Sequence, residues 1–254
     1  MPAISALVLP VLMAVAAGLV GSVAVMRRMT LASDAISHVA LPGVGLALIL
    51  HFNPVLGALA ALLVGTLLVW LVERQTRIPT EAIIGVVFSA ALAVGSMMAS
   101  GEQLIDALFG GAQALGRTEL LLGSVGALFV IAFMLWARSE LVIALVSHDL
   151  ARTAGVKVER VNLIFLLAFA LTVALGLRYL GVLLMGSLII IPAATAKQLA
   201  RSLGGMQLIA VGIAVGATLI GAFVAPAVGL ETGPVTIVVA AAVFFVSLLL
   251  RRPA

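Results

Sequence analysis

Few side chains in this 254-residue sequence are equipped for chemistry, and two of those stand one helical turn apart. Asp34 and His38, in Asp34-Ala35-Ile36-Ser37-His38, are spaced i and i+4, which puts a carboxylate and an imidazole on one face of a helix. Together they offer oxygen and nitrogen to one divalent cation, a donor set that suits zinc, manganese or ferrous iron without choosing among them. Pro42 cannot donate a backbone hydrogen bond to the carbonyl of residue 38, so that oxygen is freed beside the His38 side chain. At membrane depth an unpaired carbonyl is tolerated against protein or water and not against lipid. Leu41-Pro42-Gly43-Val44-Gly45 is therefore expected to form a bent helical stretch lining a cavity. A plainer reading stands beside this one. Asp34 caps the N-terminus of its helix, and His38 donates to it as a satisfied buried pair.

Much other chemistry is excluded. There are no cysteines, so disulfides and thiolate metal sites are ruled out. No G-x-x-x-x-G-K-[ST] is present, so any ATP must be bound by another chain. No G-x-S-x-G occurs, and His38, His51 and His148 are scattered, which leaves no nucleophile with its base. His51 falls in a short turn, His51-Phe52-Asn53-Pro54, and reads as a solvated loop histidine. Glu102, Asp106, Glu119 and Glu231 read as solvated carboxylates at the outer rim, available to a basic partner surface. Glu81 is expected in the first turn of a helix, where the dipole favours an acid. Met97-Met98 read as packing or lipid contacts. Gly212-x-x-x-Gly216 is spaced to let another helix approach closely.

The elements that must position Asp34 and His38 follow from composition. Apolar residues make up 64% of the chain and charged residues 9%, too few to coat a soluble sphere. The fold class is all-α and polytopic, because the apolar runs are continuous and lack the two-residue alternation of lipid-facing strands. A span needs roughly 20 helical residues. Apolar segments lie near 5–26, 31–50, 54–72, 81–99, 119–137, 160–177, 180–196, 206–226 and 234–250, about nine transmembrane helices, or eight if the sixth and seventh merge. Arg178 and Tyr179 sit between those two and mark an interface. The first basic residues, Arg27 and Arg28, follow the first run, which does not fit a typical cleavable signal peptide.

With the N-terminus outside and the C-terminus cytoplasmic, twelve of the 14 Lys and Arg fall inside, leaving only Arg117 and Arg178 outside. The net charge of +4 is thus the mark of cytoplasmic loops; with no basic run longer than two residues, no nucleic acid partner is implied. No internal boundary is visible, so residues 1–254 form a single transmembrane domain. Its longest cytoplasmic stretch runs from about 138 to 159. There a short helical piece, Asp149 to Ala154, is expected to be ended by Gly155. It reads as a connecting loop with a helix stop, or as a surface helix fitting a groove on a cytoplasmic partner.

Three stretches carry a family resemblance. Arg27-Arg28-Met29 with Asp34-Ala35-Ile36-Ser37-His38 and Leu41-Pro42-Gly43-Val44 resembles the hallmark of the permease subunits of bacterial zinc/manganese/iron ABC importers. Asp149-x-Ala151-x-x-x-Gly155-Val156 is similar to that family's coupling loop, which docks the ATPase. Tyr179-Leu180-Gly181 and Ser187 to Ala196 resemble its late membrane signature, as do Leu108-Phe109-Gly110 and Gly233-Pro234. The likeness runs from about Gly21 to Arg251. It departs at Ser33, where relatives usually have glycine, and at Asp149, which replaces a glutamate.

The resemblance implies a permease that passes a divalent metal inward across the bacterial cytoplasmic membrane, zinc first and manganese or iron next. Asp34 and His38 would be metal ligands. Pro42 and Gly43 would shape the pathway, and Asp149, Ala151 and Gly155 would couple to the ATPase. The implied partners are a second copy of the chain, two cytoplasmic ATPase subunits and an extracytoplasmic metal-binding protein. The chain itself would be no enzyme and would hold no permanent cofactor. The rival reading is a proton-coupled secondary metal transporter with Asp34 and His38 as a relay.

Overall fold

The structure is a computed structural model, and it describes residues 4–29, 32–76, 78–98, 117–146, 151, 153–180 and 182–249. Long helices among the described residues are α1 (Ile4–Met26), α2 (Ala32–Ile49), α3 (Pro54–Gln75), α4 (Thr80–Met98), α5 (Arg117–Trp136), α6 (Arg138–Val146), α7 (Val158–Leu180), α8 (Val182–Leu199), α9 (Leu203–Val228) and α10 (Thr232–Leu249). Each of the nine apolar segments falls on a helix of its own. The remaining helix, α6, lies within the stretch expected to be polar and cytoplasmic. Its sequence, Arg138-Ser139-Glu140-Leu141-Val142-Ile143-Ala144-Leu145-Val146, is apolar after the first turn and buries Leu141. The chain bends by 58° between α5 and α6.

Six described helices are long and apolar enough to cross a membrane, and the bent α5–α6 pair makes a seventh if it is one span. Their surfaces agree with their lengths. On α5, Leu121, Leu122, Val125 and Phe129 are each more than 60% exposed, on a face that water would not tolerate and lipid would. The protein is a multi-pass membrane protein.

The central helix is α1, with 72% of its apolar window buried against 17% for α4. It packs on α5, α7, α8 and α9. Phe165 and Phe169 of α7 fill the core beside it, their rings 6.1 Å apart. Helices α2, α3 and α4 form a second group, joined to the first where α3 meets α7 and α2 meets α7 and α8. Backbones approach closely where glycines remove the side chain. A Cβ at Gly21 would collide with the Ile189 carbonyl of α8, and one at Gly18 with the Val211 backbone of α9. Without a hydrophobic drive between helices in lipid, such contacts supply much of the packing energy. Gly212 and Gly216 receive no close helix from within the chain. Their faces meet nothing within 4 Å inside the chain. Rotation of α9 instead turns Ala210, Ala214 and Ala217 inward.

Four helical pieces end in the same way. Arg28, His51, Gly155 and Gly229 take positive φ of 62°, 55°, 78° and 68°, and each next residue donates back to the carbonyl five positions upstream. These are left-handed helix stops. The turn expected at His51 is therefore one in which the histidine backbone terminates α2.

Candidate functional site

Asp34 and His38 both lie on α2, so the spacing does put them on one helical face. The helix begins at Ala32, which places Asp34 inside the first turn and not at the N-cap. The Asp34 side chain lies outside the described residues. His38 is half-buried, and its ring faces Phe88 of α4 with centroids 5.5 Å apart. Among the described residues no three His, Asp or Glu side chains gather as a metal cage. A chain offering two ligands leaves the rest of a cation's shell to water, backbone oxygen or another chain.

Helix α2 runs unbroken through Pro42. The stretch around it is packed on two sides, where the sequence suggested a cavity wall. Gly43 lies against Gly57 of α3 so closely that a Cβ on either would strike the other's carbonyl oxygen. Gly95 of α4 lies against Leu41 and Pro42. Leu41, Gly43 and Gly45 are buried, and Pro42 is half-buried. Helices α3 and α4 thus hold α2 as a clamp one to two turns beyond His38.

The stretch expected to couple to an ATPase is described at Ala151 and from Thr153 onward; Asp149 lies outside the described residues. Ala151 and Thr153 are helical, and Val156 donates to the Ala151 carbonyl at 2.9 Å across Gly155. Ala151 is fully buried, and Val156 packs against the main core. The helix stop expected at Gly155 is therefore present. Gly155→Ala should lower stability by about 1–2 kcal/mol, because a Cβ disfavours the left-handed conformation, whereas Gly155→Asn should cost less. Thermal melts of the purified protein check this ranking.

A polar cluster at one end of the bundle was not anticipated. Arg27, just past α1, donates to Oδ1 of Asn162 on α7. The Asn162 amide NH₂ donates to Oε2 of Glu73 on α3 at 2.6 Å. The Thr80 hydroxyl, at the start of α4, donates to the other Glu73 oxygen. The Arg27 guanidinium also lies 4.6 Å from the centre of the Phe165 ring. Burial pushes this guanidinium down to about 10, opposed by the Glu73 carboxylate, so it stays charged at neutral pH. Beside it, Arg74 pairs with Glu159 at 3.3 Å and lies over Trp70. That exposed pair is worth no more than about 1 kcal/mol.

Apart from Phe165, these residues line an open cavity of about 530 Å³, which Ala144, Leu145 and Val158 also border. The ends of α1, α3 and α6 and the starts of α4 and α7 therefore meet at one end of the bundle. Arg27, Arg28 and Arg74 are gathered there, as the charge distribution requires if all face one side. Asn162 carried a signal in the sequence, since polar groups inside apolar spans are rare and seldom idle, whereas Glu73 falls just past the third apolar segment.

The family model described as the ABC 3 transport family matches residues 3–251. The chain belongs to that family. Among its relatives, the high-affinity zinc uptake system membrane protein ZnuB of Haemophilus influenzae is 29% identical over 91% of both chains. The manganese import system permease protein ScaB of Streptococcus gordonii is 30% identical, over 96% of this chain and 89% of that one. Among solved structures, PsaBC from Streptococcus pneumoniae in complex with a Fab superposes with a TM-score of 0.81 at 26% identity, covering 96% of this chain and 89% of that chain. The ABC 3 member described here shares the all-helical fold of that solved structure.

Proposed function

We propose that this ABC 3 family chain is the membrane permease of an importer that passes a divalent transition metal into the cytoplasm, with zinc first and manganese or iron next. The observation that carries the reading is the placement of Asp34 and His38 one turn apart on α2, in a family whose relatives are named for zinc and manganese uptake. Two ligands per chain suit transit, because a pathway site must release what it binds. A closed four-ligand cage would hold the ion. Pro42 and Gly43 set the course of α2 beyond the ligands. The stretch from Asp149 to Gly155 receives the stroke of a separate ATPase.

In this reading the chain crosses the bacterial inner membrane about nine times with its N-terminus outside. Two copies pair, two ATPase subunits bind inside, and a metal-carrying binding protein docks outside. The test is uptake of zinc and of manganese into vesicles holding the permease with its ATPase and binding protein. Uptake that needs ATP supports the reading. Uptake driven by a proton gradient without the ATPase chain contradicts it and restores the relay reading of Asp34 and His38.

A further inference from the structure

Asn162 stands seven residues beyond Gly155, in the second turn of the helix that leaves the coupling stretch. Its side-chain amide bridges a cation and a carboxylate, with its oxygen toward Arg27 and its NH₂ toward Glu73. Both Glu73 oxygens are used, one by Asn162 and one by Thr80. A continuous chain of hydrogen bonds thus runs from α7 to α3 and across the short 76–79 connection to α4. Those are the two helices whose glycines, Gly57 and Gly95, hold α2 beyond His38. Hydrogen bonds to charged groups are the stronger kind, so this link resists separation when α7 is displaced.

We propose that Asn162, through Glu73, is the positioning residue that makes α3 and α4 follow α7, so that movement of the coupling stretch reaches the helix carrying Asp34 and His38. This rests on the importer reading above. No metal is needed at the cluster, and its three arginines would disfavour one. Leucine at 162 keeps the branched outline of asparagine and removes both bonds. Leucine at 73 removes the carboxylate and the bonds it accepts. Glutamine at 73 keeps an oxygen for Asn162 and offers its NH₂ to the Thr80 hydroxyl.

The experiment measures zinc and manganese uptake and ATP hydrolysis together, in vesicles holding the whole complex. Asn162→Leu and Glu73→Leu should lower the metal moved per ATP about tenfold while hydrolysis continues, and Glu73→Gln should hold the ratio within about twofold. Equal falls in uptake and hydrolysis, with the ratio unchanged, would overturn the proposal and leave the cluster a packing feature. If the leucine variants do not assemble, the absence of native cysteine allows a second test. A Glu73→Cys/Asn162→Cys pair joined by a short thiol cross-linker should keep the native ratio, because the two helices move as one. Loss of uptake on cross-linking would show that they must part, which overturns the proposal. A native complex without ATP-driven uptake would remove the importer reading, and this inference with it. A coupled native complex with a coupled Asn162→Leu form would remove this inference alone.

Discussion

Alanine at His38 will lower metal uptake by roughly 100-fold or more, and alanine at Asp34 will do the same, with the complex still assembled. The size follows from the shortage of ligands. Among the described residues no other imidazole or carboxylate cluster stands ready to take over. Changes to groups that merely support a metal ligand already cost about 10–100-fold, so removal of a ligand should cost at least as much. The His38 ring also packs against Phe88. Phe88→Leu removes that contact and leaves the imidazole nitrogen in place, so it should weaken uptake by less than about tenfold. Uptake assays on membranes with equal permease content check all three. Full uptake in His38→Ala would remove the ligand assignment.

Leucine at Gly43 will prevent a folded permease from accumulating, and leucine at Gly57 will behave alike. Here the neighbour is backbone. A Cβ at either position strikes the carbonyl oxygen of the other, and neither helix has a flexible side chain that can yield. Even one added methyl group in a packed contact costs about 1–3 kcal/mol. Gly43→Ala should therefore lower the melting temperature measurably, and leucine should exceed what a marginally stable fold can absorb. The same change at Gly85, which has nothing within 4 Å, should be nearly silent. Melting curves of detergent-solubilised variants give the comparison. A stable Gly43→Leu form would mean that α2 and α3 do not cross as described.

Sequence alone placed most of the helices, because in lipid a continuous apolar run has no other way to satisfy its backbone. That Asp34 and His38 share one helix was legible for a similar reason. Its spacing matches the helical repeat, and ionisable side chains at membrane depth are few. Packing was less legible. Gly43 and Gly212 look alike in the sequence, yet one lies against a neighbouring backbone and the other meets nothing inside the chain. The difference is the rotation of each helix about its axis. Helix α6 was missed because Arg138, Ser139 and Glu140 made its start look like a loop. The polar cluster was missed because Glu73 and Asn162 are 89 residues apart and only folding brings them together. Arg27 was visible as a positive charge and as part of the family stretch, but its partners Asn162 and Glu73 were not.

The central claim is that a divalent metal enters the cell through Asp34 and His38. Whole-cell elemental analysis tests it most directly, comparing a strain lacking this gene with its parent under chelator-imposed limitation. The expected result is a selective fall in zinc or in manganese. The intact gene restores that metal, and an Asp34→Ala/His38→Ala form does not. Unchanged content of every transition metal, with other importers for the same ions also deleted, would contradict the account.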